Sequence, residues 1–126
     1  MTERRKEPRI DMVLPVEYVF PGKKANIIDT VCKNISSRGL LMLSQNALSY
    51  GQNLGLQINL IDKIARIQAE VIWCHKELYS DRYNIGLKFL EFKDKSKTHL
   101  DQLINKIYHS IELWAKNMKK NRARYL

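Results

Sequence analysis

Two short polar stretches hold the residue types that could do chemistry: Arg4-Arg5-Lys6-Glu7-Pro8-Arg9 near the N-terminus, and Asn34-Ile35-Ser36-Ser37-Arg38-Gly39 between two apolar runs. The chemistry they suit is recognition of an anion that carries flat rings. Pro8 keeps the first stretch out of a helix, and its guanidinium groups can pair through two N–H donors with a phosphate or a purine edge, or stack on a ring. Lysine would bring the charge without the plane. The second stretch offers an amide, a hydroxyl and a glycine at a strand junction. A doubly anionic ligand bearing purines fits this combination, provided that the two stretches meet in space.

Bond-making chemistry finds no comparable support. His75, His99 and His109 are not at metal-ligand spacing, Ser36 and Ser37 lack a nucleophile elbow, and Cys74 and His75, adjacent in an expected strand, face opposite sides of it. The expectation is a binding protein and not an enzyme, with no metal and no cofactor.

The chain that must position these stretches has 126 residues, 44% of them hydrophobic and 28% charged, which suits one compact domain with a real core. No run approaches the roughly 20 apolar residues of a membrane helix, and the charged opening leads into no signal-peptide core, so a cytoplasmic location is expected. Cys32 and Cys74 are far apart and fall in different expected strands, which favours reduced thiols over a disulfide framework. The 22 Lys and Arg against 13 Asp and Glu give a formal charge of +9, a bias toward anionic partners in general. The cations gather at the two ends, with Lys116, Lys119, Lys120, Arg122 and Arg124 forming the second cluster.

Period-two alternation predicts six strands. Met12, Leu14, Val16, Tyr18 and Phe20 share one face of the first, in which Pro15 implies an edge or an irregularity. A second strand over about 25–33 runs into the Asn34–Gly39 stretch, and Leu40 to Leu43 form a short third. Leu54, Leu56, Ile58 and Leu60 face inward on the fourth, Ala65, Ile67, Ala69, Val71 and Trp73 on the fifth, and Tyr83, Ile85, Leu87 and Phe89 on the last. Six short strands in sequence imply an antiparallel barrel or sandwich. The period then becomes helical, with Leu100, Leu103, Ile104, Ile107, Ile111, Trp114 and Met118 on one stripe and Asp94 or Ser96 available as cap. That helix either covers the barrel or packs against a second subunit.

With the strands in place, the two polar stretches resemble the signature of the PilZ domain, the bacterial receptor module for cyclic di-GMP. Its RxxxR element is matched by Arg5 and Arg9, with Arg4 as the extra preceding arginine, and its [D/N]xSxxG element by Asn34, Ser36 and Gly39. A late Gly-Leu-Lys-Phe segment, here Gly86 to Phe89, is also family-like. The resemblance implies a mainly β fold, a six-stranded antiparallel PilZ-type β-barrel with a C-terminal α-helix. The expected division is a flexible N-terminal arginine arm over 1–11, the barrel over 12–93, the amphipathic helix over 94–118 and a basic tail over 119–126.

The resemblance further implies a cyclic di-GMP receptor or effector in bacterial signalling, of the kind tied to motility and biofilm. Arg5 and Arg9 would serve as purine and phosphate partners, and Arg4 would favour a stacked pair of ligand molecules. Asn34 would pair with guanine or orient an arginine, and Ser36 would donate to the ligand or to its own loop. Gly39 is expected to tolerate positive φ or close ligand approach. Ligand would order the arm and change the interaction with a protein partner, and an oligomer could form through the C-terminal helix. Two other readings stay open: a PilZ-like protein adaptor without ligand, and a small basic nucleic-acid-binding barrel, the latter weakened by the scarcity of outward aromatic residues on which bases could stack.

Overall fold

Alternating apolar and polar residues fold the chain into six strands, β1 Ile10–Val19, β2 Ile28–Ile35, β3 Gly39–Ser44, β4 Asn53–Asn59, β5 Ile64–Lys76 and β6 Tyr83–Phe92, followed by one helix, α1 Ser96–Tyr125. The structure, a computed structural model, describes residues 9–23 and 25–125, with side chains as far as residue 120. The strands close into an antiparallel barrel in the order β1-β2-β3-β6-β5-β4, so the barrel forms and the sandwich does not. Closure is made by β1 and β4, with Val16 to Val19 opposite Ile58 to Gly55. Pro15 is exposed and sits one residue before that ladder begins, where its missing N–H removes no bond to β4.

The expected inward sets fill the barrel: Leu14, Val16 and Tyr18 from β1, Leu54, Leu56 and Ile58 from β4, Ala65, Ile67, Ala69 and Val71 from β5, and Ile85, Leu87 and Phe89 from β6 are all buried. Tyr18 brings its hydroxyl to within 3.2 Å of the Ser44 hydroxyl, which gives the phenol a partner inside the barrel. The turn between β1 and β2 bonds the Lys23 N–H to the Phe20 carbonyl, with Pro21 and then Gly22 at φ 79° in the middle, the geometry in which glycine carries no Cβ penalty. The second strand starts at Ile28 and not at 25, because residues after this turn are spent on a second hydrogen-bonded turn from Lys23 to Asn26.

Trp73 departs from the expected inward set. The β5–β6 register slips between Val71 and Trp73, and one extra residue in a strand moves every later side chain to the other face. Trp73 therefore lies outside the barrel, opposite Gly86, while Cys74 takes the inward position opposite Ile85. A Cβ at Gly86 would collide with the indole ring, so this glycine makes the seat for the tryptophan.

The helix begins against the barrel. Arg66 in β5 donates its N–H to the Ser96 hydroxyl at 2.8 Å and accepts from the Lys93 N–H at 3.0 Å. Ser96, expected as a cap, thus spends its hydroxyl on tying the helix to β5. Leu100 and Ile104 are buried, Leu103 and Ile107 pack partly against the core, and the helix continues past Met118 to Tyr125. Past the other end of β5, Lys33 and Arg82 flank Glu77, at 2.7 Å and 3.3 Å from its two carboxylate oxygens, and join β2 to the β5–β6 connection. The Lys33 hydrogen bond is the main cause that holds the Glu77 carboxyl below its ordinary value.

Candidate ligand site

The second polar stretch folds as a tight turn between β2 and β3. Ser36 donates its N–H to the Gly39 carbonyl at 2.9 Å, and its hydroxyl accepts from the Arg38 N–H at 3.2 Å and lies 3.4 Å from the Gly39 carbonyl. Ser36 is buried, so its side chain builds the turn from within. The Arg38 carbonyl then accepts the Phe89 N–H at 2.8 Å, which fastens the turn to β6.

Gly39 has no positive φ, so the conformational freedom expected of it is not what this position uses. It pairs with Lys88 across the β3–β6 ladder, and a Cβ there would run into the carbonyl oxygen of Leu87. Close approach is the reason for glycine, and the neighbour approached is the barrel's own backbone.

The first stretch reaches this turn through β1. Ile10 is in register with Ile35, and Asp11 with Asn34, so Arg9 arrives beside Ser36. Arg9, Ser36, Ser37, Arg38 and Gly39 line one open cleft of about 520 Å³, together with Ile72, Leu87, Lys88 and Phe89. Three cations, Arg9, Arg38 and Lys88, thus border a space of the size that takes a small ligand. Apolar Ile72, outward on β5 after buried Val71 and next to the register slip that turns Trp73 outward, completes its lining.

Asn34 stands one register step away from the cleft, between Asp11 of β1 and Leu41 of β3, with register shifts in both ladders next to it. Its side-chain carbonyl oxygen is buried and meets no hydrogen-bond donor among the described residues. A buried acceptor without a donor costs about 1–3 kcal/mol, so the amide is primed to accept. Arg4 and Arg5, with the rest of the expected arm up to residue 8, lie outside the described residues.

The fold therefore brings Arg9, Ser36 and Gly39 into one cleft and leaves Asn34 at its edge. Lys88 and Ile72 were not foreseen as lining residues. Lys88 carries a period-two signal for an outward position on β6, but only the β3–β6 pairing, which skips two strands in sequence, shows that it faces the motif glycine. Ile72 likewise alternates to an outward position after Val71, but nothing along the chain places β5 beside the motif turn. Elsewhere, burial pushes the Cys32 thiol up, and both cysteines are free. Among the described residues no group of three His, Cys, Asp or Glu side chains is placed to hold a metal, and no helix is long and apolar enough to cross a membrane.

A closed antiparallel barrel of six strands with one C-terminal helix frames this cleft, and sequence comparison supplies the family. The PilZ domain model matches residues 3–106, and the chain belongs to that family. A search of curated proteins returns no match. Among solved structures, the Bacillus subtilis inhibitor of motility MotI/DgrA superposes with a TM-score of 0.72 at 23% identity, covering 86% of this chain and 53% of that one. The PilZ domain of Escherichia coli YcgR, solved with c-di-GMP, superposes with a TM-score of 0.67 at 14% identity, over 90% of this chain and 98% of that one. A second structure, E. coli YcgR in complex with c-di-GMP, gives 0.71 at 14%, over 92% and 51%. The chain thus spans about half the length of the Bacillus protein and nearly all of the isolated E. coli domain.

Proposed function

We propose that the chain is a cyclic di-GMP receptor whose ligand sits in the cleft between Arg9 and the Ser36–Gly39 turn. The observation that carries this reading is the Ile10–Ile35 register, which delivers the end of the arginine motif to the serine-glycine motif at one lined space. The E. coli relative solved with c-di-GMP supports the same ligand class.

In this reading Arg5 and Arg9 pair with guanine edges and phosphates, and Arg4 adds the cation that lets two stacked ligand molecules bind. Asn34 turns its buried carbonyl oxygen to an arginine or to a guanine N–H donor. Ser36 and Gly39 act through the turn, by fixing the shelf on which ligand rests. Ligand clamps the arm that precedes Ile10, the first residue of β1, against the barrel and so presents a changed surface to a protein partner in the cytoplasm. No chemical step is required of any residue.

Titration calorimetry with cyclic di-GMP tests the reading. Wild type is expected to give a saturable isotherm with two ligands per chain, and Arg5→Ala and Arg9→Ala to bind about 10- to 100-fold more weakly. Ser36→Ala is expected to weaken binding less. Absence of saturable heat in the wild type, or unchanged binding by both arginine variants, overturns the assignment, and one ligand per chain overturns the stacked pair.

A further inference from the structure

The second half of α1 leaves an apolar seam uncovered. Leu100 and Ile104 are buried by the barrel, whereas Ile111, Trp114 and Met118, which continue the same stripe, are 52%, 64% and 49% exposed. From Leu100 through Ile104, Ile107, Ile111, Trp114 and Met118 the spacing alternates four and three residues without a break. That is the heptad repeat of a helix whose seam faces another helix.

The charge pattern agrees. Tyr108, Ser110, Ala115 and Asn117, which flank the seam, are uncharged, and Glu112, Lys116, Lys119 and Lys120 take the outer positions. In a chain of formal charge +9 this keeps all charge but that of Lys106, which borders the groove described below, off the surface where two identical helices would meet. An independent feature sits beside the seam. Ile61, in the turn between β4 and β5, is held at φ 84° and is 71% exposed. A β-branched residue with positive φ is an outlier that costs on the order of 1–3 kcal/mol, and such strain persists where the position has a use. Here Ile61 forms one wall of an apolar groove of about 430 Å³ whose other wall is Leu103, Ile107, Ile111 and Trp114.

We propose that this groove and seam bind the α1 helix of a second copy of the chain, and that the two helices run antiparallel. The direction follows from the stripe itself. The face that meets the barrel at Leu100 and Ile104 is the face left open at Ile111 to Met118, so a parallel partner would bring its own barrel into the space this barrel occupies. An antiparallel partner carries its barrel to the far end. It sets Ile107 opposite Met118 and Ile111 opposite Trp114, aligns the helix dipoles favourably, and brings Lys119 and Lys120 of the second copy toward exposed Asp62, next to Ile61. This inference does not depend on the ligand reading.

Sedimentation equilibrium of the full chain without ligand tests it. Wild type and Lys116→Glu, a change on the outer face, are expected to dimerise, while Trp114→Glu and Ile111→Asp raise the dissociation constant by about 30-fold or more with the circular dichroism of the barrel unchanged. Mixing Ile107→Cys with Met118→Cys is expected to give a disulfide between those two positions, mapped by mass spectrometry. A wild type that stays monomeric across the concentration range overturns the proposal. So does a monomer that floats with anionic phosphatidylserine vesicles in a Trp114-dependent way, since the seam would then serve a membrane. A Met118→Cys chain that cross-links efficiently to itself overturns the antiparallel arrangement.

Discussion

The carbonyl oxygen of Leu87 fills the space that a Cβ at Gly39 would need. This contact joins β3 to β6 at the point where the Ser36–Gly39 turn faces the cleft, so the glycine of the NxSxxG element is a packing residue of the barrel. Gly39→Ala must push the two strands apart, at a cost of about 1–3 kcal/mol from overpacking. The expected fall in Tm is roughly 5–15 °C in thermal denaturation. Ligand affinity should fall with it, because Arg38, Gly39 and Lys88 shift together. A Gly39→Ala protein with unchanged Tm but no affinity would assign the glycine to ligand approach instead.

A second glycine makes a prediction with an optical readout. Gly86 carries the Trp73 indole where its own side chain would have been, and the tryptophan ring in turn lies 5.2 Å from that of His75. Gly86→Ala has to expel the indole from this seat. Trp73 emission should shift to longer wavelength in that variant, with Trp114→Phe as the background that isolates the signal, since the helix tryptophan is already exposed. A spectrum identical to the parent would mean that the ring does not rest on Gly86.

The sequence was informative where one residue's chemistry or one strand's period decides the outcome. The inward faces of β1, β4 and β6 follow from alternation, and the RxxxR and NxSxxG elements single out Arg9, Ser36 and Gly39. It was silent where two distant segments decide together. Trp73 alternates in phase with Val71 along the chain, and only the extra residue in the β5–β6 ladder turns it outward. Lys88 reads as an ordinary outward lysine until β3 is found beside β6. Gly39 reads as a turn glycine, since no local pattern reports a carbonyl from another strand. In α1 the stripe is plain, but its length alone does not show that the barrel covers only the first half.

Lys88 follows from that topology as a residue of the cleft. It lies in register with Gly39 on one side and Glu70 on the other, is exposed, and borders the cleft with Arg9. Being a point charge at the rim, it should contribute attraction more than geometry. Lys88→Ala is expected to weaken cyclic di-GMP binding by roughly 3- to 10-fold, with the deficit shrinking as salt is raised, and Lys88→Arg to restore it. Equal affinities for wild type and Lys88→Ala at low salt would remove Lys88 from the site.

The last prediction concerns acid. Glu77 accepts from Lys33 at 2.7 Å with Arg82 at 3.3 Å, and the Lys33 hydrogen bond is the first cause of a carboxyl held below its ordinary value of 4.5. A carboxyl with a lowered value in the folded state binds its proton less readily there than in the unfolded chain. Its contribution to stability is therefore complete above 4.5, and it is lost as the pH falls below that value and through the folded one. Glu77→Gln should melt below wild type at neutral pH and approach it as the solution is acidified, with a flatter acid limb in a plot of Tm against pH. Lys33→Ala should flatten the same limb, because it removes the principal cause, whereas Lys97→Ala, which breaks a helix-surface pair with Asp101, should leave the contribution of Glu77 in place. Parallel acid limbs for wild type and Glu77→Gln would mean that the bridge between β2 and the β5–β6 connection does not stabilise the fold.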